Sequence, residues 1–395
     1  MFYSEYHLFR SGERSNYRIP TIAVTKRGTV LAFCSDRKDT LADHADEKTV
    51  VLRRREAGAP WEPERTLLAY PGWDCDIGAA VYDALTDTVF LEVMRQPVAL
   101  DEFGDYTPEQ LEKARCDAEA LAAAAGILTG TFFLCSDDDG RTWRETPKNV
   151  ASQTVMTAPD GSRAAFTGWT HGSAPGIQKK RGPHAGRLVM PSRFTTRRYT
   201  TLQELTECGF NNALYSDDHG ATWHSGGPVQ TGTGEGALFE DADGVIRYNS
   251  RAFFFDRKRY LADSCDGGES FGDFRTDDFL LEVPHSGCNA SLLRVEKTAL
   301  CAADAALLPP QAQGVVVFVN PRDPKSRKDL TACISFDDGR TWREGRHIRE
   351  SFAAYSARAY SETDGHFYLL YELGENDPYD LGLSCAECDL AWLLG

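Results

Sequence analysis

Short apolar runs, each closed by a turn rich in Gly, Asp or Lys, recur along nearly the whole chain. The first is YRIPTIAVT at 17–25, closed by KRG and answered by TVLAF at 29–33; this is the text of a β-hairpin. VVLR at 50–53 continues it, and AAVYDA at 79–84 pairs by the same logic with TVFLE at 88–92 across a turn at 85–87. RLVMPSRF at 187–194, VIRYNSRAF at 245–253, GVVVFVN at 314–320 and HFYLLYEL at 366–373 have strand length and strand composition, not helical periodicity. One stretch breaks the rhythm. Thr107, Pro108, Glu109 and Gln110 combine a capping box with an early proline, and the alanine-rich run to Ala125 sustains a helix that Gly126 ends. The pattern predicts an all-β chain with one helical insertion at 108–125, serving as a lid over a pocket or as edge protection.

The turns between the strands share a template: Ser, any residue, Asp, any residue, Gly, any residue, Thr or Ser, then an aromatic. It is met by SDDDGRTW at 136–143, SDDHGATW at 216–223, SCDGGESF at 264–271 and SFDDGRTW at 335–342, with a decayed fifth copy, EAGAPW, at 56–61. Ser and Asp side chains satisfy backbone N–H groups inside such a corner, and Gly takes positive φ. The aromatic then opens the next strand and packs beneath the turn. The copies lie about 50 to 80 residues apart, the span of one four-stranded blade or a little more, and so predict a β-propeller.

The chain has 395 residues, 42% of them hydrophobic, enough for a large core. It carries no linker-like tract, so residues 1–395 are read as one domain. A formal net charge of −16 argues against nucleic acid and anionic membranes as partners. It also requires any anionic substrate to meet a local cluster of arginines. No apolar run approaches the ~20 residues of a membrane span, and the N-terminal MFYSEYHLFRSGER lacks a signal-peptide core. Eleven scattered cysteines fit a reducing compartment, hence the expectation of a cytoplasmic protein. Cys385 and Cys388 form a lone CxxC with no second pair and no nearby His, and read as ordinary buried thiols. HExxH and Walker motifs are absent from the sequence.

The Asp residues of the boxes are committed to turns. Candidate chemistry lies between the boxes, in a set of arginines, acids and one tyrosine. Arg18, in YRIP, is fixed by the following Pro20; alone, such an arginine is an ordinary surface residue. YRIP at 17–20, LAFCSDR at 31–37, DHADEKTVVLRR at 43–54, the four boxes, GTGEG at 232–236, YNSR at 248–251, SRKDL at 326–330 and AAYS at 353–356 together resemble the sialidase (neuraminidase) family, over nearly the whole chain. The resemblance implies a six-bladed β-propeller of four-stranded antiparallel sheets. It further implies hydrolysis of terminal sialic acids with retention of configuration, no cofactor, no metal in the catalytic step, and a sialylated glycan or oligosaccharide as the partner.

Carried over position by position, the resemblance puts the family's carboxylate-binding arginines on Arg18, Arg251 and Arg327, the last flanked by Arg322 and Lys328. Guanidinium groups offer paired donors in fixed geometry, and each contact at about 4 Å is roughly 4 kcal/mol of gross attraction at an effective dielectric of 20. Tyr355 matches the nucleophile, with Tyr360 a rival, and Glu235 its partner. A neutral phenol avoids the repulsion that a carboxylate nucleophile would meet at an anomeric centre already bearing a carboxylate, and its pKa of about 10 calls for a base in reach. Asp43 matches the acid/base residue, with Asp46 a competitor. Arg37 aligns with a family arginine near C4 of the sugar, and the neighbouring Asp36 either orients it or is simply exposed. Where many relatives carry Asn-Pro beside the C5 acyl group, this chain has Asp76, Ile77, Gly78 and Ala79. That departure admits a deaminated or other nonulosonic acid as substrate. A propeller that binds sialoglycans without catalysis, and sialyl transfer to another sugar, are the remaining readings.

Overall fold

The computed structural model describes residues 1–43, 47–97, 107–152, 155–157, 163–165, 169–196, 201–254, 256–284 and 287–395; Asp46, the competitor of Asp43, lies outside them. The strands form the six blades of a propeller. The first two are four-stranded antiparallel sheets: Tyr17–Val24 to Arg65–Leu68, then Trp73–Asp83 to Arg144–Pro147. The third runs from Ile177–Gln178 through Leu188–Thr195 and Gly209–Ser216 to Trp223–Ser225, with Val150–Ser152 added in parallel at its outer edge. The fourth spans Thr233–Glu240 to Gly272–Leu281. The last two blades share one continuous strand, Arg343–Ser361. Up to Phe352 it pairs with Lys328–Ser335 as the outer strand of blade five, and from Ala353 it pairs with His366–Leu373 as the inner strand of blade six. The innermost strands of successive blades touch in a closed ring.

Ring closure depends on the N-terminal strand. Tyr3–Arg10 pairs antiparallel with Gly382–Cys388 and supplies the outer strand of blade six. Each box occupies the connection from the third to the fourth strand of its blade, and the decayed copy does so in blade one. Blade six has no box because its third and fourth strands come from opposite ends of the sequence.

The boxes are built as their composition predicts. In the first, Ser136 Oγ donates to Asp138 Oδ1 (2.9 Å) and accepts from Gly140 N (2.9 Å), while Asp138 accepts from Thr142 N (2.9 Å) and Thr142 Oγ1 (2.7 Å). The same bonds recur around Asp218, Asp266 and Asp337. In the decayed copy Arg54 stands where the template has Ser, and its guanidinium donates to Glu56 at 2.7 Å. In the first two corners the aromatic wedges toward the preceding blade: Trp143 meets Phe33 edge-on with ring centroids 5.6 Å apart, and Trp223 stacks on Phe133 at 4.9 Å. Gly140 takes φ 77°, and a Cβ there would come within 2.6 Å of Leu31 in blade one, so both backbone and packing demand glycine.

Six apolar cores fill the spaces between neighbouring blades. Cys385 and Cys388, buried on one strand, point into two different cores, so they do not converge on a common ligand. The predicted helix is present as Pro108–Ala124, with Thr107 capping Gln110 N (3.3 Å) and Gln110 Oε1 accepting from Thr107 N (2.8 Å). It is inserted between the second and third strands of blade two, on the face opposite the boxes, and touches the strand Thr88–Pro97. Sequence reading missed a second helix, Leu202–Cys208, whose own capping box joins Thr201 and Glu204.

Candidate active site

Strand direction alone gathers the candidate residues on the face opposite the boxes. Arg18, Glu235 and Tyr355 lie near the starts of innermost strands, Arg251 and Arg37 at the ends of second strands, and Arg327 just before a third strand. All of these positions fall at one end of the ring.

Tyr355 is the centre of the group. Its hydroxyl donates to Glu235 Oε1 at 2.6 Å and accepts from Arg251 Nη1 at 2.6 Å, and Arg251 also bonds Glu235 Oε2. The Cζ atoms of Arg18, Arg327 and Arg251 stand 5.5, 5.4 and 5.9 Å from the centroid of its ring. Tyr360, the rival, lies near the far end of the same strand, where its hydroxyl donates to Ala299 O at 3.2 Å. Arg322 turns away toward Phe279 O and Glu344, and Lys328 sits over the Phe352 ring; Arg327 alone of that run faces Tyr355.

Burial and charge set the protonation states. Burial pushes the Glu235 carboxyl up, but Arg251 and Arg193 outweigh it and hold the group at about 2. Burial raises the Tyr355 phenol above its ordinary value, Arg251 opposes this and Glu235 adds to it. The pair therefore rests as tyrosine and carboxylate.

Glycines make room for this pair. Gly172, at φ 70°, lies so close to Glu235 that a Cβ there would come within 2.7 Å of its Cγ. Those flanking Glu235 leave room for the rings of Phe253 and Tyr248.

Two further residues organise the arginines. Glu372, wholly buried, accepts from Arg18 Nε (2.7 Å), Ile19 N (2.9 Å) and Tyr355 N (3.0 Å). One carboxylate thus ties the first arginine to the backbone of Tyr355, and it holds Ile19 at φ 59°, a conformation β-branched residues rarely take. The sequence signal was a lone acid inside the apolar run HFYLLYEL, since a buried carboxylate requires partners. Tyr379 accepts from Arg327 Nη1 at 2.5 Å and lies beneath Arg18, whose Cζ is 3.7 Å from its ring centroid. No pattern marked it.

Asp43 stands at the mouth, largely exposed, with Oδ1 2.8 Å from Nη2 of the fully buried Arg37. Surrounding protein works to raise its pKa, but Arg37, then His171, Arg18 and Lys48, hold it at about 2. Asp36 neither orients Arg37 nor is exposed. It is buried and engages Ser15 (3.1 Å) and Lys38. Asp76 is also buried, 2.6 Å from Lys48 Nζ and 3.2 Å from His171 Nε2. Burial holds His171 down at about 4. Its Nδ1 meets Arg193 Nη2 at 3.0 Å, and Arg193 Nη1 lies 3.6 Å from Glu235. A chain of polar contacts, with Lys48 joining Asp43 O to Asp76 and a neutral His171 between Asp76 and Arg193, therefore runs from Asp43 to Glu235; sequence reading named neither Lys48, His171 nor Arg193.

Asp364, His366 and Glu387, on the box face, present ligand atoms within 4.8 Å of one another. Arg55, His366 and Tyr368 already engage Glu387, and Tyr368 engages Asp364, so an ion-pair network accounts for this cluster.

Residues 46–369 match the family model for the BNR repeat-like domain. The chain is 30% identical to a sialidase of Micromonospora viridifaciens, the match covering 100% of this chain and 55% of that protein. It is 27% identical to sialidase-2 of Cricetulus griseus over 88% of this chain and 85% of that one. The chain spans about half the length of the bacterial relatives from M. viridifaciens and Bacteroides fragilis. Among solved structures, the intramolecular trans-sialidase of Ruminococcus gnavus superposes with a TM-score of 0.68 at 16% identity, over 98% of each chain.

Proposed function

The chain belongs to the BNR repeat-like family and, within it, to the sialidases, and from that premise we propose that it is a retaining exo-sialidase working through a tyrosyl intermediate. The observation that carries the reading is the convergence of three guanidinium groups on one tyrosine whose hydroxyl is shared between Glu235 and Arg251. The arginines hold the carboxylate on the anomeric carbon. Tyr355 Oη attacks that carbon, its proton passes to Glu235, and Arg251 stabilises both oxygens as charge moves. Asp43 gives a proton to the departing glycosidic oxygen and later takes one from water. To act as an acid it must first be freed from Arg37 and covered by the sugar, and both changes raise a carboxyl pKa.

The test is turnover of an aryl sialoside by the wild type and by Tyr355→Phe, together with trapping by a 3-fluorinated sialyl fluoride. The expected results are loss of turnover in the variant and, in the wild type, a covalent adduct on the peptide bearing Tyr355. Unimpaired hydrolysis by Tyr355→Phe refutes the proposal; binding without product in the wild type favours a lectin-like propeller instead. A second reading, hydrolysis of a deaminated nonulosonic acid, is favoured by the polar cluster of Asp76, Lys48 and His171. Comparison of kcat/KM for N-acetyl and deaminated aryl glycosides decides between the two.

A further inference from the structure

Tyr379 belongs to no strand. It sits on the loop 374–381 of blade six, which is braced from within. Asp380 accepts from Glu375 N (2.7 Å) and Asn376 N (3.0 Å), Asp377 accepts from Tyr379 N (2.7 Å), and Gly382 N donates to Tyr379 O (3.1 Å). Gly374 is so closely overlaid by Asp377 O that any side chain there would collide with it. Outside anchors fix its first residue: Gly374 N donates to Phe352 O at 3.1 Å and Arg349 Nη2 donates to Gly374 O at 2.8 Å. The loop thus presents one aromatic side chain in a set position.

That side chain meets two arginines in two different ways. Its hydroxyl takes one donor of Arg327 (2.5 Å), while Gly287 O takes another (2.9 Å). Two of the five guanidinium donors are then used and three remain for a ligand. Its ring lies 3.7 Å from the Cζ of Arg18, in cation–π contact, while Glu372 fixes Arg18 from the Nε side. Arg18 comes from blade one and Arg327 from blade five, so no backbone hydrogen bond sets their separation.

We propose that Tyr379 is a positioning residue that aligns Arg18 and Arg327 as a preformed carboxylate clamp, resting on the reading of this site as a sialic acid pocket. It touches no reacting atom. Its work is done before the ligand arrives, so its loss weakens ground state and transition state alike. The signature is a raised KM with little change in kcat.

The experiment uses the full chain, Tyr379→Ala, Tyr379→Phe and a 4-methylumbelliferyl sialoside, with ¹H–¹⁵N spectra of the arginine side chains alongside. The Ala variant is expected to raise KM on the order of ten- to a hundredfold with kcat within about threefold. The Phe variant, which keeps the ring and loses the hydroxyl, should fall between it and the wild type. In the spectra, the Arg18 Nε–H should lose its ring-current shift in the Ala variant and keep it in the Phe variant. Wild-type KM in both variants, or a fall in kcat at constant KM, overturns the proposal. Should the wild type turn over no sialoside, the functional reading fails on its own. The spectra then decide the positioning role, and unchanged Arg18 and Arg327 signals in the Ala variant overturn it.

Discussion

Replacing Glu372 by Gln changes one atom and removes one charge at the point where blades one and six meet. Oε1 accepts two of its three hydrogen bonds, from Arg18 Nε and Ile19 N, and Oε2 accepts the third, from Tyr355 N. The glutamine oxygen will therefore face Arg18 and Ile19, and its NH₂ group will face the Tyr355 N–H, donor against donor. Breaking a buried ion pair from one side costs about 3–5 kcal/mol, which lowers Tm by roughly 4–6 °C in a chain of this size. The same change displaces Tyr355, and a misplacement of about 1 Å can cost on the order of 10² in rate. Urea unfolding followed by tryptophan fluorescence reads the first effect, and kcat/KM on an aryl sialoside reads the second. The double variant Arg18→Met with Glu372→Leu separates them. Replacing both charges by apolar groups removes the unpaired charge but leaves Ile19 N–H and Tyr355 N–H without an acceptor, so this variant should regain part of the stability and none of the activity. Should Glu372→Gln unfold within about 1 kcal/mol of the wild type and retain its kcat/KM, the reasoning from buried charge is wrong.

Asp43→Ala should lose on the order of 10² to 10⁴ in rate on natural glycosides and far less on aryl substrates whose leaving group needs no proton; equal losses would remove Asp43 from the role of acid. His171, held near 4 by burial, contributes stability that is fully present above its unfolded pKa of about 6.5 and lost as pH falls from there toward 4. That contribution is on the order of 3 kcal/mol, and the difference in urea stability between wild type and His171→Asn should shrink across that window. Asp138→Ala deletes the acceptor for Ser136 and Thr142 in the first box and should cost about 1–3 kcal/mol of stability. The rate per folded molecule should not change, because this corner lies on the opposite face.

The corners were legible because their chemistry is local. Ser136, Asp138, Gly140 and Trp143 find their partners within a few residues of one another, so composition reports their conformation directly. The long helix was legible for the same reason. The helix Leu202–Cys208 was not, because its seven residues carry no full apolar stripe. The closing strand Tyr3–Arg10 pairs with residues at the other end of the sequence, and no local pattern reports such a partner. The site divides along the same line. Arg18, Glu235, Arg251, Arg327 and Tyr355 were found through their motif contexts. Glu372, Tyr379, Lys48, His171 and Arg193 owe their roles to neighbours contributed by other blades. Asp36 was misread because adjacency in sequence was taken for adjacency of side chains; on a strand, consecutive residues point to opposite faces.

The charge balance of the pocket follows from these partners. The chain carries a formal net charge of −16, and most cations of the site are already answered: Arg18 by Glu372, Arg251 by Glu235, Arg37 by Asp43 and Lys48 by Asp76. Arg327 differs. Its hydrogen-bond acceptors among the described residues are the Tyr379 hydroxyl and the Gly287 carbonyl, both neutral, and the thiol of Cys288 beside it is pushed up to about 12 by burial, so it carries no charge near neutral pH. Arg193 shares Glu235 with Arg251, and Arg327 is thus left as the site arginine without a carboxylate partner among the described residues. An incoming carboxylate supplies the missing negative charge there, whereas at Arg18 and Arg251 it must share donors with resident glutamates. Attraction to the pocket is therefore concentrated at Arg327, the arginine farthest along the chain from the YRIP motif that first drew attention to the site.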